Sequence, residues 1–179
     1  MRHQKILLFG LIALLLLGLG GCAKYKITTP LEQSLNTTAS WRIGEIRDGL
    51  PSDMDPEDKP DEFNIMKLKN FLKEELEKRN LFQETGLASS DQLEVTGNIL
   101  EYKKGSGLVR ALIGFGIGNA VLTIELELRN RTTGKTLFAG NFKQTVSDWK
   151  ESGEKCFKRV AKDFAKALEK QQKKLLKGS

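Results

Sequence analysis

Histidine is almost missing from this chain, and cysteine is scarce. There is one His, His3, and there are two Cys, Cys22 and Cys156, in 179 residues. His3 sits in an amino-terminal leader expected to be removed. A mature chain without His and with one Cys outside position 22 cannot build a His-containing catalytic triad or an ordinary His/Cys zinc site. If Cys22 is modified, Cys156 has no partner in the chain, so a disulfide-stapled fold is excluded as well. Cys156 stands beside Phe157 in a predicted helix and reads as a small core residue rather than a reactive thiol. Neither a metal nor a cofactor is expected.

What the amino terminus does contain is the layout of a secretion signal. Met1-Arg2-His3-Gln4-Lys5 is a short basic head, and Ile6 to Gly21 is a run of 16 uncharged, mostly apolar residues. A permanent membrane helix usually needs about 17–25 such residues, so this run is marginal as a span. Leu19-Gly20-Gly21-Cys22 resembles the bacterial lipobox, with Leu19, Gly20 and Gly21 recognised by the signal peptidase and Cys22 carrying the lipid, palmitate included. The small residues let an extended segment enter the peptidase, and the thiol is the nucleophile that accepts the lipid. Two or more acyl chains, at about 0.8 kcal/mol per buried CH₂, hold firmly. Ala23 resembles the pattern of lipoproteins sent to the outer membrane, with the domain in the periplasm. The alternative is the outer face of the cytoplasmic membrane.

Charge is unevenly placed. Loss of Arg2 and Lys5 lowers the 29 Lys+Arg to 27, against 23 Asp+Glu. Glu45 to Glu62 holds eight acids and only Arg47 and Lys59 as bases, whereas Lys150 to Lys177 holds ten bases against four acids. An acidic connector and a basic terminal helix follow. The small net excess and the compartment both argue against nucleic acid as a partner.

The domain plan is a signal peptide (1–21), a lipidated tether (22–40), an α+β domain (41–170) and a basic tail (171–179). Residues 23–40 are polar enough to read mainly as tether, with room for a short strand. Trp41 to Arg47 is a strand candidate. Pro51, Pro56 and Pro60 punctuate an acidic loop, since each lacks a donor and fixes φ. Ile65, Leu68, Leu72 and Leu76 recur at helical spacing behind a cap at Asp61 or Asn64. Leu93 to Tyr102 alternates as a strand, and so does Leu122 to Leu128. Asn130 to Lys135 is a hairpin turn, with Leu137 to Val146 returning. Phe157, Val160, Ala161, Phe164, Ala165 and Leu168 stripe a last helix. The order is β-α-β-β-β-α: a small sheet with helices packed on one face.

Gly105-Ser106-Gly107 opens a long glycine-rich segment in which Gly114, Gly116 and Gly118 are spaced by two. It lacks the Gly-Lys-Ser/Thr ending of a phosphate loop and the G-x-G-x-x-G dinucleotide fingerprint. It reads either as a close-packed connector or as an apolar patch, with Leu112, Phe115 and Ile117 as contacts to a partner protein or to the bilayer. From Gly105 onward the chain resembles a family of uncharacterised bacterial lipoproteins, domain of unknown function 4410. The resemblance rests on Arg110, Gly114 to Gly118, the strand Leu122 to Leu128 and the turn Thr133-Gly134-Lys135. It covers roughly residues 40–170. Asn130-Arg131 departs from the Asp that commonly precedes that turn, and the family implies no catalytic residues.

Three classes of function are open. The first is a non-enzymatic assembly or accessory protein of the envelope, held by the lipid on Cys22 and meeting a protein partner or itself. The second is a binding module for anionic lipid or cell-wall polymer, through Lys155, Lys158, Lys162, Lys166 and Lys170 on the terminal helix. The third is an enzyme using carboxylates such as Asp53, Asp55, Glu57 and Asp58. That cluster lacks the Gly and Glu of an EF-hand loop, having Asp58 and Asn64 at those positions, and reads as a solvated loop. An enzyme is not expected.

Overall fold

Alternation around Leu122 marks the middle of the molecule. The computed structural model describes residues 25–35, 39–82, 92–105, 119–146 and 154–178. The strands are β1 (Tyr25–Thr29), β2 (Ser40–Asp48), β3 (Gln92–Lys103), β4 (Ala120–Asn130) and β5 (Thr136–Val146). The helices are α1 (Glu62–Glu77) and α2 (Glu154–Gly178), with a single 3-10 turn at Pro56–Asp58. One five-stranded sheet runs in the order β1-β5-β4-β3-β2. β2 and β3 are parallel, and α1 makes the crossover that parallel neighbours need. The other pairs are antiparallel.

Leu122, Ile124, Leu126 and Leu128 of β4 are fully buried, while Thr123, Glu125, Glu127 and Arg129 lie on the opposite face. Both helices cover the apolar face, giving the α+β layering that the amphipathic elements require. Asp61 caps α1 by accepting the Asn64 N–H at 2.7 Å. Leu68, Leu72 and Leu76 then recur every fourth residue and are fully buried. On α2, Phe157, Val160, Ala161, Phe164, Ala165 and Leu168 form the predicted stripe. Phe164 packs against Phe138 and Phe142, with ring centroids 5.7 and 5.5 Å away. Burying each such ring contributes roughly 1.5–3 kcal/mol.

Two boundaries differ from the sequence reading. The segment expected as tether contains β1, whose Tyr25 and Ile27 pair with Phe142 and Gly140 of β5. Leu31 and Leu35 then enter the core. The strand is only five residues long, and its single polar-apolar alternation is too short to stand out from a polar stretch. The residues expected as a basic tail continue α2 to Gly178. Gln172 explains both changes. Its amide oxygen accepts the Leu35 N–H at 2.8 Å, and its amide nitrogen donates to the Leu35 carbonyl at 3.1 Å. The segment after β1 and the last turns of α2 are thereby clamped together inside the core.

Strand directions define two ends of the domain. Lys103, Ala120 and Val146 lie at one end, and β1 and β2 point Tyr25 and Asp48 toward it, level with Phe142 and Ile99 four residues short of it. Both helices start there, joined by Lys67, which donates to Glu154. At the other end lie Thr29, Gln92, Asn130 and the last turns of α2, where Arg79 bridges Glu75 and Glu169 at 3.1 and 2.8 Å. Gly134 has φ of 71° in the turn at this end, a left-handed conformation that glycine adopts without strain.

Gln172→Ala removes two buried hydrogen bonds and orphans two backbone groups, so it should lower stability by about 2 kcal/mol. Denaturant unfolding measures the loss. Deuterium exchange at the Leu35 amide should accelerate in parallel, and unchanged protection there would disprove the clamp.

Candidate functional site

The face of the sheet opposite the helices carries its own organised chemistry. Glu94 of β3 pairs in register with Arg42 of β2 and with Arg129 of β4. Arg42 Nε and Nη2 approach Glu94 Oε1 at 2.8 and 2.6 Å, and Arg129 Nη2 approaches Oε2 at 2.9 Å. The Glu94 side chain is 7% exposed, whereas those of Arg42 and Arg129 are 55% and 39% exposed. Gly44 makes room for it, because a Cβ there would meet the Glu94 carboxyl carbon at 2.7 Å. Burial by itself would raise the Glu94 carboxyl, but the hydrogen bonds from both guanidiniums outweigh it and hold the group below its usual range.

A second cluster follows one strand pair along. Lys143 donates to Glu101 at 2.8 Å and Thr123 donates to it at 2.9 Å. The Lys143 hydrogen bond holds the Glu101 carboxyl low against a smaller opposing effect of burial. Between the clusters is a shallow cavity of about 230 Å³, lined by Glu45, Arg47, Thr96, Asn98, Glu125, Glu127 and Arg129. Glu94 and Glu101 stay ionised across the neutral range, which suits ion pairing and not proton donation.

The acids singled out from sequence serve the local turn. Asp55 accepts the Glu57 N–H at 3.0 Å and caps the 3-10 turn. Asp53, Glu57 and Asp58 are exposed. Their loop borders an open groove against Tyr102, Lys103 and Lys104 at the end of β3. Among the described residues no group of three or more His, Cys, Asp or Glu is placed to hold a metal ion. Among them, too, no helix is long and apolar enough to cross a membrane.

The lysines singled out from sequence run along α2 without forming one compact site. Lys155 is half-buried, and Lys158 lies over the Phe71 ring at 6.0 Å from its centroid. Both are near the start of α2. Lys162, Lys166 and Lys170 are exposed further along. Lys166 and Lys170 instead join Lys173, Lys174 and Lys177 around a shallow depression that also contains Glu169. Hydrogen bonds from Lys173 and Arg79 hold the Glu169 carboxyl low. Leu19, Gly20, Gly21 and Cys22, and equally Leu112, Phe115 and Ile117, lie outside the described residues. Sequence reasoning missed the Glu94 cluster because its members are spread over three strands, and nothing in one strand marks Glu94 as different from any outward-facing acid.

Cys156 is 2% exposed, with its thiol 3.6 Å from the Ala120 carbonyl and 3.8 Å from that of Gln144. Burial pushes the thiol up, so it is protonated and shielded at neutral pH. A thiol reagent such as dithionitrobenzoate should therefore titrate Cys156 only after unfolding; fast reaction in the native state would contradict this placement.

Of the three members of the outer-face triad, only Glu94 is deeply buried. Removing both arginines (Arg42→Ala with Arg129→Ala) strands a buried charge and should cost about 3–5 kcal/mol. Glu94→Gln leaves exposed arginines that water can solvate and should cost less, about 1–2 kcal/mol. The depressed Glu94 carboxyl contributes stability above its ordinary value of 4.5, and that contribution is lost as pH falls through the folded value. Thermal melts should thus show a gap between the parent and Glu94→Gln that is full at pH 7 and narrows below pH 4.5. A constant gap would refute the pairing.

Comparison with known proteins adds the family and the fold. Among curated proteins none matches the chain. The PelC dodecamer of Paraburkholderia phytofirmans is similar in fold at 10% identity, with a TM-score of 0.56, covering 81% of this chain and 96% of that one. A variant of the same dodecamer gives 0.54 at 10% identity, over 80% and 97%. A Xanthomonas campestris protein of the DUF330 family gives 0.49 at 11% identity, over 82% and 97%. The family model Domain of unknown function (DUF4410) matches residues 42–147. These residues take in every strand from Arg42 of β2 through β5, the outer-face triad included, and the chain belongs to the DUF4410 family.

Proposed function

We propose that this protein is a lipid-anchored accessory protein of the bacterial envelope that works by association and not by catalysis. The observation that carries this reading is a spacing. β1 opens at Tyr25, and only Ala23 and Lys24 separate it from Cys22 of the lipobox-like Leu19-Gly20-Gly21-Cys22. Three extended steps reach at most about 11 Å. Acyl chains on Cys22 would therefore hold β1, and the edge of the sheet that it forms, close to the membrane, with no long tether between them.

Other features of the Tyr25 end agree. β3 ends and β4 begins there, so the connection that carries Leu112, Phe115 and Ile117 departs and returns on the membrane side. The first turn of α1, at the same end, leaves Phe63 and Met66 exposed at 57% and 49%. Ala23 favours the outer membrane as the address, with the domain in the periplasm. Anchoring raises the local concentration of copies on one surface, which promotes weak association without new contacts. The dodecamer formed by PelC supports self-association as a use of this fold. The carboxylates held ionised by basic neighbours, Glu94, Glu101 and Glu169, support a structural use of charge in place of acid–base chemistry.

Cys22→Ser should abolish palmitate incorporation in growing cells and leave a longer, unprocessed chain on a gel. Equal labelling of that variant would sink the anchor. Crosslinking of the parent protein in intact cells should capture species larger than a monomer, and recovery of monomer alone would sink association.

A further inference from the structure

The fold sorts the uneven charge of the sequence onto opposite ends. The acidic loop after Asp48 lies at the Tyr25 end, where Asp53, Asp55, Glu57 and Asp58 are exposed. The last three turns of α2 lie at the other end and present Lys166, Lys170, Lys173, Lys174 and Lys177 on one side. Offsets of four, seven, eight and eleven residues from Lys166 keep these on a single helical face. Glu169, the one acid among them, is already bridged to Arg79 at 2.8 Å and to Lys173, so it leaves the stripe strongly positive.

From these placements we infer that the stripe Lys166–Lys177 binds a linear polyanion of the cell wall, one that carries carboxylate or phosphate groups along its length. Lysines near a helix carboxyl terminus also offset the terminal carbonyl dipole. That effect falls off within the last turn, whereas Lys166 stands three turns from the end. Five charges spread over about 17 Å of helix axis, roughly one every 4 Å, match an extended polymer better than a compact anion.

Direction selects the wall over the bilayer, and here the inference rests on the anchor reading. Phe164 of α2 packs against Phe142, the partner of Tyr25, so from the level of Tyr25 Lys173 stands roughly 14 Å further along α2 and Lys177 roughly 20 Å. Both distances exceed the screening length of about 8 Å, so the headgroups of the anchoring membrane are out of electrostatic reach. The acidic end faces that membrane instead. The protein would thus join a lipid surface at one end to an anionic polymer at the other.

The test uses the full-length lipidated protein in neutral detergent, sedimented with purified cell-wall sacculi. Binding should fall roughly tenfold between 50 and 500 mM salt, since exposed charge attractions are screened. Replacing Lys166, Lys170, Lys174 and Lys177 together by Gln should weaken binding roughly tenfold or more while leaving the circular dichroism melt unchanged. Equal binding by that variant, or indifference to salt, overturns the stripe. So does binding of the parent to phosphatidylglycerol vesicles but not to sacculi, which would make it a membrane contact, or loss of self-association in place of sacculus binding. In a second arm the protein is reconstituted into phosphatidylcholine vesicles. Capture of the vesicles by sacculi supports the outward direction. Binding in detergent that disappears on vesicles would overturn the anchor geometry and leave the lysine stripe standing.

Discussion

Everything in this molecule depends on the sheet being apolar on one face only. β4 places Leu122, Ile124, Leu126 and Leu128 beneath the helices, and β5 adds Phe138 and Phe142. α2 answers with Phe157 and Phe164, and its alanines at 161, 165 and 167 let the helix approach closely. A single apolar face can fold a domain of this size because many large side chains are buried on it, each contributing roughly 1.5–3 kcal/mol. Among the described residues the opposite face has no covering layer. Its polar side chains have to satisfy one another in the plane of the sheet.

That requirement explains the ion pairs. Cross-strand neighbours sit close enough for side chains of opposite charge to meet, so Glu94 finds Arg42 on one side and Arg129 on the other. The buried member is the carboxylate, and the two guanidiniums keep most of their solvation. Desolvation therefore falls mainly on one charge, and two partners offset it. The same economy appears at the helix ends, where Lys67 and Arg79 tie α1 to α2 at their two extremities. Both helices run the same way, so their like-oriented dipoles do not help each other, and these cross-links supply attraction that the dipoles cannot.

Elements whose pattern lies within one stretch of chain were legible in the sequence. The leucines of α1 at 68, 72 and 76, the cap Asp61 and the clean alternation of β4 carry their own period, and the structure follows them. Elements that owe their form to distant residues were hidden. β1 exists because β5 offers it an edge and because Gln172 holds Leu35 from 137 positions away. The end of α2 is ordered by the same Gln172, although its local sequence is mostly lysine. The outer-face triad draws on three strands, and Gly44 belongs to it only by lacking a side chain. In each case the information is pairwise and non-local, and periodicity along the chain does not contain it.

The uneven charge of the sequence has a different status, because a linear reading shows the asymmetry but not its direction. Acids near Asp53 and bases near Lys174 could have met across the fold and neutralised each other. The topology prevents this. β3 ends where β4 begins, and the loop after β2 lies against Tyr102, Lys103, Lys104 and Asn119, which pins it to that end. α2 starts at the same end and, at about 1.5 Å per residue, carries its lysines to the other. Separated by the length of the domain, the two groups cannot screen one another, and each must be solvated or find an external partner. An anchor three residues before β1 would then turn this internal polarity into an orientation relative to the membrane. The shortness of that link matters more than the lipid itself, since a long flexible tether would let the domain tumble and average the polarity away.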